Sequence, residues 1–350
     1  MTEVKKLGVI LKPTDLEFEN HAVLNPAAWQ EGDTVHLYYR ALDKDHKSSI
    51  GYARLHGPLD VQERWERPMM NREFDYESQG VEDPRITKLD DKLYMTYVAH
   101  DGKNAVTAYA VSTDFKTFAK RGIITPRIQY RELDDILQEG EAHLKDLYFF
   151  FKSYYEDRAG DDVLIWEKDT FLFPKKIGGK YALIHRVLPE IQIAFFDDFE
   201  QLKTRQYWEK YLRELPDYVI LENKHWFESR SIGGGCVPIE TERGWVLIFH
   251  AVEERNAGRV YHAAAALLDL ENPLKVLGRL HEPLFSPTEE WEVNGPVSNV
   301  VFPTATSIFG DKLYIYYGAA DHYIAAAEVN INELVDDMLD PSQGHDNGKK

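Results

Sequence analysis

The chain has 350 residues, 43% of them hydrophobic, enough to bury a sizeable core in one large domain or two ordinary ones. Its 59 Asp and Glu against 41 Lys and Arg give a formal charge of -18, a field that repels phosphate backbones and anionic membrane surfaces and so argues against nucleic-acid and membrane partners. The 13% aromatic content excludes a disordered chain, and the single cysteine, Cys236, excludes an intrachain disulfide scaffold.

The first apolar run, Leu7-Gly8-Val9-Ile10-Leu11, is too short for a secretory or membrane segment. The expectation is a cytoplasmic protein, or a periplasmic one had a leader been removed. Five copies of one pattern then follow: a proline, a run of β-formers, a short polar turn and a second run rich in Ala and aromatics. They are Pro26 with Val35–Arg40 and Ile50–Leu55, and Pro84 with Leu93–Tyr97 and Ala105–Val111. Pro174 goes with Tyr181–His185 and Ile191–Phe195, Pro238 with Trp245–His250 and Tyr261–Ala265, and Pro303 with Leu313–Tyr317 and Tyr323–Ala327. Turns such as Leu89-Asp90-Asp91-Lys92 and Phe309-Gly310-Asp311-Lys312 supply hairpin chemistry. Each copy reads as a small antiparallel sheet, and five arranged radially predict an all-β fold, a five-bladed β-propeller in a single domain over 1–340. Two helical insertions interrupt it, at about 130–158 and 199–215. The first is read either as a cap on the channel or as a subunit contact. A short C-terminal helix over 332–339 and a disordered polar tail at 341–350 complete the expectation.

No His-Glu-x-x-His, Cys-x-x-Cys, Gly-x-Ser-x-Gly or Walker pattern is present, so no metal is called for and zinc, serine-hydrolase and nucleotide chemistry have no support. The run Gly233-Gly234-Gly235 precedes a strand rather than a helix and reads as a close backbone approach. His250, ending a predicted strand, is the histidine most worth testing. The sharpest local feature is Gly80-Val81-Glu82-Asp83-Pro84-Arg85, two acids and an arginine around a proline where an inner strand would face the channel. The same chemistry makes an ordinary ion pair, but Asn25 before Pro26 and Asp321 after Gly318-Ala319-Ala320 stand at comparable points of other copies.

These stretches resemble glycoside hydrolase family 130, the β-mannoside phosphorylases and mannosidases. The resemblance runs in order through Leu24-Asn25-Pro26-Ala27, Gly80–Ile86, Leu172–Ile177, His185-Arg186, Ala264–Leu270, Asn299–Pro303 and Tyr316–Asp321. It implies a five-bladed β-propeller acting on short mannose-containing oligosaccharides. Asp83 matches the family's catalytic acid, and Asn25, Arg40, Arg85 and Asp321 fall where members grip the mannose at the cleaved bond, with His250 a further contact. Trp29, Trp226 and Trp291 are candidates for stacking on sugar faces.

Both reaction types of the family invert the anomeric centre. Inversion by water needs a second carboxylate as base, whereas phosphate is already a nucleophile and needs a cradle of cations and hydroxyls. For that cradle the resemblance offers Lys168 in place of one arginine, Arg186 as the other, Ser231 where a lysine is usual, with Arg230 beside it, and Tyr261 as the tyrosine. The incomplete cradle, with Glu190 and Glu228 as spare carboxylates, turns the expectation toward an inverting β-mannosidase with β-1,2 linkages in view. The alternative is a phosphorylase taking inorganic phosphate as co-substrate, with no other cofactor, and releasing mannose 1-phosphate. A third reading is a glycan-binding propeller without turnover. Family relatives often assemble, so a homo-oligomer is an open reading.

Overall fold

Alternation of β-formers with two-residue polar turns produces antiparallel hairpins throughout the computed structural model, which describes residues 2–138 and 144–340. The tail expected at 341–350 lies outside the described residues. Asp90 and Asp91, at φ 48° and 60°, both adopt the left-handed conformation that a tight turn between right-twisted strands requires. The protein is mostly β-sheet, and the strands of every predicted copy are present.

Ala22–Glu31, Thr34–Leu42, Ser48–His56 and Asp60–Arg64 pair in sequence, as do Gly80–Leu89, Lys92–His100, Ala105–Ser112 and Ala119–Ile123. One parallel residue pair, Ser48 with Gly80, links these two groups into an eight-stranded sheet. A third group holds Phe171–Leu172, Tyr181–His185, Ile191–Phe196 and Val219–Leu221, and a fourth Ser231–Gly234, Gly244–Arg255, Gly258–Leu268 and Val276–Arg279. In the last, Val301–Phe309, Lys312–Ala319 and Tyr323–Asn330 are completed by Lys5–Leu11 from the other end of the chain. Apolar clusters fill the space between neighbouring groups; Leu37, Tyr39 and Ala53, for example, pack with Tyr316 and Ala326. Pro26, Pro84 and Pro303 sit inside inner strands at register shifts, where a missing N–H costs no ladder bond. Pro174 and Pro238 fall just outside theirs.

The insertions are helical as expected: Tyr130–Gln138 and Asp146–Ala159 in the first, Phe199–Leu202 and Arg205–Arg213 in the second. Ile331–Leu339 forms the closing helix.

A buried carboxylate recurs from group to group. Glu19, Glu77, Glu228 and Glu292 each sit at a short helical turn and are fully buried. Glu77 accepts the backbone N–H groups of Glu73 and Phe74, Glu228 those of Lys224 and His225, and Glu292 those of Thr288 and Glu289. A tyrosine of the second strand donates to three of them: Tyr39 to Glu19 at 2.8 Å, Tyr97 to Glu77 and Tyr317 to Glu292 at 2.7 Å. A cation completes each set: Arg64, Lys120, Arg279 and Lys6 respectively. In the fourth group Phe249 holds the tyrosine's place and Arg279 lies over its ring, 5.6 Å from the centroid. In the third, His185 holds it and faces Glu167 at 3.1 Å.

Glu292→Ala would leave a tyrosine hydroxyl and two backbone N–H groups without their acceptor and Lys6 without its counter-charge, an expected loss of about 3–5 kcal/mol. Urea unfolding of the variant checks this, and a change below about 1 kcal/mol would show that the carboxylate does not hold the group together.

Candidate active site

Residues from every strand group line one cavity of about 590 Å³. Asn25 and Asp83 reach it from register shifts in their strands, each at φ 47° and each followed by proline. Asp169 and Asp321, at φ 61° and 52°, share this left-handed backbone, which Asn and Asp tolerate better than other side chains. Asn25 Nδ2 donates to Asp83 Oδ1 at 2.8 Å, and Arg40 Nη1 lies 3.5 Å from the same oxygen. Gly318 is required here, because a Cβ would fall on Asn25 Oδ1.

The charges divide the carboxyls. Burial alone would raise Asp83, but Arg40, Lys168, the Asn25 bond and Arg85 outweigh it and hold the carboxyl below its usual range. Burial, helped by Asp83 and Glu82, pushes Asp321 up to about 6 against the pull of Arg40 and Lys168. Glu82 stands behind this pair, accepting from Arg40 at 2.7 Å and lying 3.5 Å from Lys168 Nζ.

On the adjoining wall Arg186 contacts Asp169 at 3.0 Å and His250 Nε2 at 3.3 Å. Burial drives the His250 pKa down to about 4, against the pull of Asp169 and with Arg186 and Arg85 acting in the same direction as burial, so the ring is neutral. His250 Nδ1, Arg186 Nε and Arg85 Nη2 are buried without a hydrogen-bond partner. Gly233 leaves room for this pair, since a Cβ there would meet both His250 and Arg186. At Gly235 it would meet the Ile248 and Pro303 carbonyls, the close approach that the glycine run suggested.

Nine of the twelve predicted site residues line the cavity: Asn25, Arg40, Asp83 and Asp321, then Lys168, Arg186 and His250, with Arg230 and Tyr261. Arg85 does not. It is 1% exposed, donating to the carbonyls of Gly235, Asp83 and Pro84, and so props the wall from behind. Glu190 and Glu228 also lie off the cavity. Glu228 is the fourth group's buried anchor, its oxygens taken by two backbone N–H groups and Arg279. Glu190 is engaged by Lys145 at 2.6 Å and by the Tyr148 hydroxyl at 2.5 Å, latching the helix Asp146–Ala159 to the third group. Neither is placed to activate a water.

Trp29, Trp226 and Trp291 are outside the cavity too; beside Tyr261 its aromatic surface comprises Trp166, Phe151, Tyr154, Tyr155 and Phe302. Sequence reasoning missed these, together with Asp169, Arg158 and Arg259. Asp169 was recoverable as the third copy's counterpart of Asn25 and Asp83. The helix residues carried no repeat signal. Their presence in the wall makes the first insertion part of the cavity.

Among the described residues no cluster of His, Cys, Asp and Glu is arranged to hold a metal, and no helix is long and apolar enough to cross a membrane. A deep cleft of paired carboxyls, amides, cations and aromatic rings is what a carbohydrate-cleaving enzyme presents to a sugar.

The family model described as β-1,4-mannooligosaccharide phosphorylase matches residues 4–340. The 1,2-β-oligomannan phosphorylase of Thermoanaerobacter sp. (strain X514) is 32% identical over 95% of this chain and 99% of its own. The β-1,2-mannobiose phosphorylase of the same organism is 35% identical over 94% and 97%. The structure of the Listeria innocua β-1,2-mannobiose phosphorylase with β-1,2-mannobiose superposes with a TM-score of 0.70 at 22% identity, over 96% of this chain and 99% of that one. The chain belongs to glycoside hydrolase family 130 and is an enzyme, a glycoside hydrolase or glycoside phosphorylase. The reading as a binding module without turnover is thereby set aside. The expectation of a hydrolase also loses its footing, since these curated relatives are phosphorylases and both candidate water-activating glutamates are structural.

Two outcomes are expected. Glu190→Gln should loosen the helix Asp146–Ala159 and raise KM for oligosaccharide about fivefold or more with a smaller effect on kcat; a thousandfold fall in kcat at unchanged KM would instead make Glu190 a reacting group. Asp321 binds its proton more tightly folded than unfolded, so its contribution lowers stability as pH rises from about 4 through about 6. Asp321→Asn should therefore match the parent near pH 4 and exceed it at pH 7 by about 3 kcal/mol in urea unfolding; equal pH profiles would contradict this.

Proposed function

We propose that this protein is an inverting β-mannoside phosphorylase that cleaves β-1,2-linked mannooligosaccharides with inorganic phosphate and releases mannose 1-phosphate. The observation that carries the reading is the charge of the cavity wall. In a chain of formal charge -18, seven cations, Arg40, Lys103, Arg158, Lys168, Arg186, Arg230 and Arg259, face three carboxylates, Asp83, Asp169 and Asp321. Water needs no such field, whereas a phosphate dianion does. The buried, unpartnered donors of His250 and Arg186, both in the cavity wall, support the same reading.

In this reading Asn25, Arg40 and Asp321 hold the mannose at the bond to be cleaved, and Lys168 and Arg186 hold phosphate beside it. His250 and Tyr261 close the cradle, and Arg230 takes the place of the lysine that Ser231 lacks. A phosphate oxygen attacks C1 from the face opposite the leaving sugar. The glycosidic C1–O bond breaks with its electron pair on oxygen, and a proton reaches that oxygen through Asp83. Asp83 is held ionised before substrate arrives, so it acts as a relay, taking a proton from a sugar hydroxyl or from the neighbouring Asp321 as it passes one on.

The fold in this reading is a five-bladed β-propeller in one domain. In its support, each strand group touches the next and the fifth returns to the first. Asn25 bonds Asp83, Thr87 donates to the Leu172 carbonyl at 2.9 Å, Arg186 meets His250, Tyr261 N–H donates to Asn299 at 3.0 Å, and Thr304 donates to Pro26 at 2.6 Å.

The deciding experiment incubates the protein with β-1,2- and β-1,4-linked mannobiose, with and without phosphate. Mannose 1-phosphate formed only with phosphate, and preferentially from the β-1,2 substrate, is expected. Free mannose released without phosphate would overturn the reading. Asp83→Asn should lower kcat by about 10²–10⁴ while leaving the fold intact by circular dichroism.

A further inference from the structure

The proposed chemistry gives no role to Arg158 and Arg259, which lie beside Arg230 of the phosphate cradle. Three guanidinium groups surround one ring, that of Tyr154: Arg158 at 4.4 Å from its centroid, Arg230 at 5.1 Å and Arg259 at 5.9 Å. Arg259 Nη2 also donates to the Tyr154 hydroxyl at 3.3 Å. One carboxylate stands against them, Glu254, 2.5 Å from Arg230 and 3.5 Å from Arg259. Among the described residues Arg158 has no carboxylate partner. Two positive charges are thus left over on a stretch of wall that all four of these arginine and tyrosine side chains line. Burial alone would raise the Tyr154 phenol, yet Arg259, Arg158 and Arg230 bring it below its usual value.

This stretch is built from elements other than those carrying the reacting groups. Arg158 and Tyr154 belong to the helix Asp146–Ala159 and Arg259 to the strand Gly258–Leu268, whereas Arg40, Asp83 and Asp321 come from the first, second and last groups. Lys168 and Arg186 keep to Glu82 and Asp169. Neutral sugar hydroxyls are matched by amides, carboxylates and single donors, as at Asn25 and Asp321. Clustered guanidinium groups with surplus charge match a phosphate or carboxylate, which they grip two oxygens at a time.

Resting on the phosphorylase reading, we infer that Arg158 and Arg259, beside the cradle's Arg230, bind an anionic substituent on the leaving sugar, so that the enzyme prefers a charged sugar, a sugar phosphate or a uronic acid, in the position it releases.

The test runs the reaction backward from mannose 1-phosphate. The acceptor hydroxyl oxygen bonds to C1, the C1–O bond to phosphate breaks, and phosphate leaves with the acceptor's proton. Acceptors are mannose, mannose 6-phosphate and mannuronate at equal ionic strength, and the readout is the ratio of kcat/KM for charged over neutral acceptor, which cancels any general loss of activity. A ratio of about ten or more is expected in the parent, falling toward one in Arg158→Ala and in Arg158→Ala with Arg259→Ala, and partly kept in Arg158→Lys. Which charged acceptor gives the higher ratio separates phosphate from carboxylate. A ratio near one in the parent, or one unchanged in the double variant, overturns the inference. So does a rise in KM for mannose 1-phosphate alone in Arg158→Ala, which would assign these cations to the co-substrate. If no acceptor is mannosylated, the phosphorylase reading has failed, and calorimetric binding of mannose 6-phosphate against mannose then decides the wall by itself. Tighter binding of the phosphate that Arg158→Ala removes upholds it, and equal binding overturns it.

Discussion

Each strand group is held in shape by a carboxylate taken out of water and fully engaged. A buried glutamate or aspartate without partners would be costly, and the chain avoids that cost by aiming donors at its oxygens: at Glu77 and Glu292 these are two backbone N–H groups, a tyrosine hydroxyl and a cation. The anchor fixes the tyrosine, and the tyrosine fixes its strand. Because side chains alternate along a strand, the residue after the anchored one is turned the other way. Those residues are Arg40 after Tyr39, Val98 after Tyr97, Arg186 after His185, His250 after Phe249 and Gly318 after Tyr317. Arg40, Arg186 and His250 line the cavity, Gly318 makes room for Asn25, and Val98 does neither. The architecture of the repeat and the placement of the chemistry are one arrangement seen from two sides of a sheet.

The cavity inverts the sign of the protein around it. An acidic exterior discourages association with polyanions at large, while low-dielectric walls focus the field of the inward cations on whatever small anion enters. Inside, the same field separates the two carboxyls that share Arg40: Asp83 keeps its charge and Asp321 resists acquiring one. Two chemically identical groups thereby become available for different work.

The strands, the helical insertions and the inward prolines of three copies were legible because they rest on periodicity and turn chemistry, which act within a few residues. Most of the site was legible too, chiefly as positions repeated from copy to copy. What failed was the assignment of Glu190 and Glu228. A glutamate beside a predicted channel reads the same whether it faces substrate or backs onto backbone N–H groups, and only the partners, Tyr148 and Lys145 for one and Arg279 for the other, tell the two apart. Those partners lie tens of residues away in sequence. The anchors' recurrence was itself visible in part, since Glu77 precedes Gly80 and Glu228 precedes Ser231 by the same interval, and this would have identified Glu228 as architecture. Phe151, Tyr154 and Arg158 reach the cavity only through the docking of an insertion that has no counterpart in other copies.

The pairing of Lys5–Leu11 with Tyr323–Asn330 bears on how the chain is made. During synthesis the first strand leaves the ribosome some three hundred residues ahead of the one it will pair with. Until then its backbone donors and acceptors have only water, and the last sheet lacks its outer member. The earlier groups can form as hairpins while translation proceeds, but the final seam closes only when nearly all the chain has emerged, a contact of very long range that sets a late and slow step. An exposed strand waiting that long is an opening for pairing with a neighbouring nascent chain, so this seam, rather than the cavity, is where crowded synthesis would put assembly at risk.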